Sequence, residues 1–123
     1  MSPAGRSAGK APKGVTLAQA RRLALGLPGS VEGPSYGTPG YRVNGKLFAR
    51  FRDDGATLVV GVDQDLRGGF IQSNPKAFFI TDHYRNYDWM LVRLSAVTRG
   101  ELEDMLRLAW SRKAPKRLLE AGR

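Results

Sequence analysis

Residues 41–51, YRVNGKLFARF, constrain the fold of this chain more than any other stretch. Asn44-Gly45 joins two arms in which apolar and polar residues alternate. An Asn-Gly pair tolerates the positive φ that a type I′ turn demands at both central positions. A chain with this signal has to build antiparallel sheet. On the second arm, Leu47, Ala49 and Phe51 are expected on one face, and Lys46, Phe48, Arg50 and Arg52 on the other, because successive strand side chains point to opposite sides. Arg42 is expected close to the turn, across from that arm. RDDGAT supplies another turn, with Gly55 free to take positive φ. TLVVGV follows as a third arm, with Leu58, Val60 and Val62 on one side. Upstream, VEGPSYGTPGYRV reads as extended backbone whose prolines place it at an edge or a bend.

Helical periods bracket this sheet. In VTLAQARRLALGLPG, Thr16 is the expected N-cap and Gln19 its capping-box partner. Leu17, Ala20, Leu23, Ala24 and Leu27 then follow helical spacing until Pro28-Gly29 ends it. Asp63 is the expected cap of a short helix weakened by Gly68-Gly69. Ser73-Asn74-Pro75 stops that helix and offers a new start, with Pro75 at a first helical position. AFFIT and DWMLVRLSAV read as strands around the loop DHYRNY. Thr98 and Glu101 form a second capping box, with Val97 placed to staple onto Leu102. Leu102, Met105, Leu106, Ala109 and Trp110 trace one helix face. Pro115 ends that helix, and KRLLEAGR trails off.

The expected fold is therefore α+β. It is a single two-layer domain over residues 15–123, mostly antiparallel β-sheet with N- and C-terminal helices packed against it. Residues 1–14, MSPAGRSAGKAPKG, contain almost nothing to bury and are expected as a disordered basic tail. At 123 residues the chain is one domain. No apolar run approaches the roughly 18 residues of a membrane span, so no membrane partner is expected. There is no cysteine, hence no thiol nucleophile and no disulfide framework. A cytoplasmic location, a monomer and no cofactor are the expectations.

Charge is the second constraint. Twenty Lys and Arg against eleven Asp and Glu give +9. Without the first fourteen residues the balance is seventeen against eleven, or +6, so the folded part is basic in its own right. A basic surface attracts polyanions. The cations are also patterned. Arg42, Lys46, Arg50 and Arg52 share one hairpin with Phe48, and Arg93 shares a strand face with Trp89 and Leu91. Cations interleaved with aromatics on a sheet suit nucleic acid, the cations neutralising phosphates and the rings stacking on bases. The same pattern also serves as the solvated outer face of a one-sided sheet. Arg112, Lys113, Lys116 and Arg117 form another basic cluster, which also suits a helix C-terminus.

Catalytic chemistry finds less support. His83 is the chain's only histidine. Ser73, Ser95, Thr81 and Asp82 near it form no nucleophile–base arrangement, and a histidine at a strand–loop junction commonly serves structure. Asp53-Asp54, Asp63, Asp65, Glu101, Glu103 and Asp104 are accounted for by turns and helix starts. No metal site is expected, and the chain is expected not to be an enzyme. A small-ligand pocket around Tyr36, His83, Tyr84 and Trp89 is the alternative that remains on the chemical side.

Three stretches carry a family resemblance: LPGSVEGPSYGTPGYRVNGKLFARF, FFITDHYRNYDWMLVRL and LRLAWSRKAPKRL. In this order and spacing the chain, from about Leu17 to Leu118, resembles the MmcQ/YjbR-like proteins. The resemblance implies an α+β domain like the type III secretion chaperones, with a face compared to a double-wing DNA-binding domain. It carries no catalytic set. It implies architectural roles for Gly37, Thr38, Pro39 and Trp89, with the Trp89 indole N–H paired, and ligand contacts or carboxylate pairing for Lys46 and Lys116.

The sequence thus leads to a nucleic-acid-binding protein, with DNA as the expected partner and low sequence selectivity. Its expected contacts are Arg42, Lys46, Phe48, Arg50, Arg52, Arg93, Lys116 and Arg117. The alternative is a chaperone-like module that holds an extended protein partner, supported by apolar Phe48 and Leu91 on faces expected to be exposed.

Overall fold

The computed structural model describes residues 12–121. Helix α1 (Leu17–Leu25) begins at the expected capping box, with Thr16 and Gln19 bonded reciprocally. Strands β1 (Val31–Ser35), β2 (Thr38–Val43), β3 (Lys46–Phe51) and β4 (Thr57–Gly61) follow as successive hairpins. Helix α2 (Gln64–Ser73) leads to the short strand β5 (Phe78–Phe79), a 3-10 turn at Asp82–Tyr84 and strand β6 (Trp89–Arg93). Helices α3 (Arg99–Ser111) and α4 (Lys116–Ala121) complete the described chain. All neighbouring strands are antiparallel, in the order β1-β2-β3-β4-β6-β5.

The turn chemistry follows the sequence closely. Asn44 and Gly45 have φ of 54° and 76°, as a type I′ turn requires. A second turn of this kind joins β1 to β2, where Tyr36 and Gly37 have φ of 55° and 80°. Glycine adopts this backbone freely, whereas a tyrosine is strained there. The Thr38 hydroxyl ties that turn down, lying 2.9 Å from the Ser35 carbonyl and 2.6 Å from that of Phe51. At the β3–β4 turn the Asp54 carboxylate accepts from the N–H groups of Ala56 and Thr57 and from the Thr57 hydroxyl, at 2.9–3.0 Å.

Helices α1 and α3 cover one face of the sheet. Ala20, Ala24 and Leu27 meet Leu102, Met105, Leu106, Ala109 and Trp110 over Tyr41, Leu58, Val60, Met90 and Val92. All five residues expected on the α3 face are buried. Leu17, expected in the α1 stripe, is exposed instead, standing in the first helical turn beside an open pocket that it lines with Pro39, Tyr41 and Phe51.

Strand β3 departs from strict alternation. Tyr41 pairs with Ala49 but Arg42 pairs with Leu47, which leaves Phe48 as the extra residue of a β-bulge. The bulge turns Phe48 and Ala49 to the same side, into the helix-side core, and both are 0% exposed. Phe48 is therefore not an outward aromatic. Leu47 takes the outer side with Arg50, while Lys46 pairs opposite Val43, a core residue, out of phase with Arg50.

Other expectations shift at element ends. Lys13 bridges to Thr98, and Gly14 N–H donates to the Val97 carbonyl at 2.8 Å, so these two residues of the expected tail join the fold. Pro12 is exposed and outside any helix or strand, and the remainder of that tail, residues 1–11, lies outside the described residues. Pro75 begins a turn, not a helix. After Pro115 the chain forms α4, which packs Leu118 and Leu119 onto the core. No helix among the described residues is long and apolar enough to cross a membrane.

Candidate functional site

The face of the sheet opposite α1 and α3 carries the site. Its centre is a small second cluster, in which Tyr84 and the partly buried Phe79 and Trp89 pack over Val59 and Leu91. Leu91 is wholly buried there, so neither Phe48 nor Leu91 offers an exposed apolar surface to a partner segment. Around the cluster opens a cleft of about 510 Å³. Tyr36, His83, Tyr84 and Trp89, the four residues expected around a pocket, all line it. Tyr87, Arg50, Leu47 and Val59 complete it. A polar chamber of about 280 Å³ adjoins, sharing Tyr36, Arg50, His83 and Tyr84 and adding Arg52, Asp53 and the hydroxyl residues Thr38 and Thr81.

Backbone geometry raises the walls. The strained Tyr36 turn lifts its ring to 91% exposure. Arg50 lies beneath it, its guanidinium carbon 5.4 Å from the ring centroid. The same guanidinium donates to the Tyr84 hydroxyl at 2.8 Å. Tyr84 packs edge-on against His83, with centroids 4.8 Å apart. His83 forms no hydrogen bond with a carboxylate among the described residues, and neighbouring Asp82 is paired with Arg85. Opposite Tyr36, the exposed Tyr87 and half-buried Trp89 stand on the 84–89 segment.

That segment is held by a residue the sequence reading did not single out. Arg67 of α2 is only 7% exposed. Its Nη1 lies 2.8–2.9 Å from the carbonyls of Tyr84, Tyr87 and Trp89, and its Nη2 is 2.9 Å from that of Arg85. A guanidinium presents five donors in a planar fork, and four carbonyls of one loop converge on it. From sequence, an arginine beside Gly68-Gly69 in a short helix looks like a surface cation. At the far end of the loop, Asp88 accepts from Gln64 N–H at 3.2 Å and pairs with Arg112 at 3.3 Å. The Gln64 N–H first, then the Gln64 side chain and Arg112, hold its carboxyl below the usual carboxylate range.

The expected cations divide between two places. Arg42 and Arg50 stand on the outer side, Arg52 just past the end of β3 and Arg93 on β6. Arg93 lies over Phe79, 4.4 Å from the ring centroid, and donates to the Lys76 carbonyl. Arg42 donates to the Pro34 carbonyl at 3.4 Å. None of these four forms a salt bridge among the described residues. Lys116 and Arg117 are exposed on α4, which packs onto the helix-side core, so they and Lys46 are not gathered with the outer cations. Trp89 leans on Gly61, where an added Cβ would meet its ring at 3.6 Å. Its indole N–H has no partner among the described residues, contrary to expectation. The paired indole is that of Trp110, which donates to the Pro28 carbonyl at 2.8 Å.

A six-stranded antiparallel sheet with helices on one face and this cleft on the other defines a compact α+β class. The domain of Deinococcus radiodurans protein DR2400, matched by the family model DUF419, has the same fold. It superposes with a TM-score of 0.65 at 22% identity, over 77% of this chain and 75% of that one. Residues 25–112 match the family model YjbR, and the chain belongs to the YjbR family. Two proteins described as uncharacterized, Mb2600 of Mycobacterium bovis and Rv2570 of Mycobacterium tuberculosis, are each 35% identical over 66 residues. That match covers 51% of this chain and 51% of each relative, so the chain spans about half the length of the curated relatives it matches.

Proposed function

We propose that the chain binds nucleic acid, with DNA as the first candidate, through the outer face of its sheet. The observation that carries this reading is the set of four arginines, Arg42, Arg50, Arg52 and Arg93, none of which forms a salt bridge among the described residues, with Arg50 and Arg52 beside the exposed Tyr36 and Arg93 over Phe79. From β2 to β6 is three strand spacings, about 14 Å, enough to follow a backbone across the sheet. Phosphates take the guanidiniums, and unpaired bases or sugars take the rings. Such contacts position a strand without reading base edges, so sequence selectivity is low.

The test is binding of labelled DNA and RNA with heparin as competitor. Reversing charge at Arg50 and Arg52 together is expected to abolish binding. The same substitutions on Lys116 and Arg117 are expected to weaken it by less than about threefold, because those cations stand on the helix layer. Equal losses from both pairs would count against the outer face, and heparin binding as tight as DNA would reduce the site to a general polyanion surface.

A further inference from the structure

The outer cleft is not a flat basic surface, and its division into two unlike chambers is informative. One side is apolar and aromatic, with Leu47 and Val59 as floor and Tyr87 and Trp89 as wall. The other is polar, with Arg52, Thr38 and Thr81, and one acid, Asp53, at its mouth. Arg50 stands between them, held from below by Tyr84 and covered by Tyr36. Arg50 gives one N–H to the Tyr84 phenol and another, at 3.4 Å, to the Phe51 carbonyl, and a guanidinium with five donors keeps the others for a ligand. The unpartnered Trp89 indole N–H is a further donor on the aromatic side. A cavity of about 510 Å³ falls within the range of about 300–1,000 Å³ typical of small-ligand sites.

We propose that this cleft seats one unpaired nucleotide, its base among Tyr36, Tyr87 and Trp89 and its phosphate against Arg50 and Arg52. The inference rests on the nucleic-acid reading above and names the unit that the face recognises. A ring that bears an anion a few ångströms away matches both chambers at once. Bases inside a duplex are stacked and cannot enter between walls that rise from the sheet. The face therefore selects single strands or displaced bases over intact duplex. The same chemistry belongs to a free mononucleotide, and the two sources are separable.

The experiment follows tryptophan emission of the full chain. Trp89 lies in the cleft, whereas Trp110 is 2% exposed in the core and provides the constant background. The chain is titrated with a short oligodeoxythymidylate, with an abasic deoxyribose-phosphate chain of equal length, with a duplex and with thymidine monophosphate. The oligonucleotide is expected to quench Trp89 and to bind about 10-fold or more tightly than the abasic chain, the increment of a base stacked on aromatic rings. Tyr87→Ala is expected to bring the two affinities together, with an unchanged melting midpoint since Tyr87 is exposed. Equal affinity for the oligonucleotide and the abasic chain would overturn the nucleotide seat and leave the electrostatic reading standing. Quenching by thymidine monophosphate without binding of any polymer would support the seat and overturn the nucleic-acid reading. Tightest binding to the intact duplex would overturn the seat.

Discussion

At the residue scale, two side chains show how local chemistry sets up the outer face. Asp54 closes the β3–β4 turn beside Arg52. The Ala56 N–H first, then the Thr57 hydroxyl and N–H and the charge of Arg52, hold its carboxyl below the usual carboxylate range. A carboxylate whose folded value is lowered contributes stability above about pH 4, its unfolded value, and loses that contribution as the pH falls through the folded value. Asp54→Ala is expected to cost about 1 kcal/mol at neutral pH, since the group is largely solvated and its bonds are screened. The difference from the parent chain is expected to shrink below pH 4, as read by urea unfolding at several pH values. Tyr36 presents the opposite case, a strained backbone in return for an exposed ring. Tyr36→Gly is expected to leave the melting midpoint equal or higher, because glycine adopts positive φ without penalty. Nucleic-acid affinity is expected to fall in the same variant.

At the element scale, the bulge in β3 and the anchor from α2 decide what the face contains. If Phe48 pointed to solvent, Phe48→Ala would change stability by no more than about 0.5 kcal/mol. Buried as it is, the substitution is expected to cost about 3–5 kcal/mol by denaturant unfolding. Arg67→Met is expected to cost more than about 3 kcal/mol, because it removes the donors for four carbonyls of one loop. Where the variant remains folded, faster amide exchange at residues 84–89 is the accompanying sign. The capping boxes at Thr16 and Thr98, the Asn44-Gly45 turn and the α3 face were legible in the sequence, because each signal lies within a few residues. The bulge was not, since it exists only relative to the register of β2. Period-two alternation, carried through Lys46–Phe51, placed Phe48 and Leu47 on each other's faces. Arg67 was illegible for a similar reason, as its partners lie 17 to 22 residues further on. The pocket residues Tyr36, His83, Tyr84 and Trp89 were named from their types alone, but only the folded sheet brings Tyr36 across to the other three.

At the scale of the whole molecule, the fold separates two jobs. The helix face supplies one continuous core from α1, α3 and five of the strands, β2 to β6. The outer face buries only the small cluster of Val59, Tyr84 and Leu91 and otherwise carries arginines and aromatics. The charge of +9 was legible in composition, but its useful distribution was not. Half of the eight expected contacts, Arg42, Arg50, Arg52 and Arg93, gather on the outer side or its rim. Lys46, Lys116 and Arg117 stand elsewhere, and Phe48 is in the core. The measurement that bears most directly on this account is the salt dependence of DNA binding. With four outer arginines neutralising phosphates, log K is expected to fall with log salt at a slope of about −3.6 for duplex and about −3 for single strands. Charge reversal of Arg50 and Arg52 is expected to remove that dependence together with the binding. A flat salt response, or no binding to either form at about 50 mM salt, would contradict nucleic-acid binding through this face.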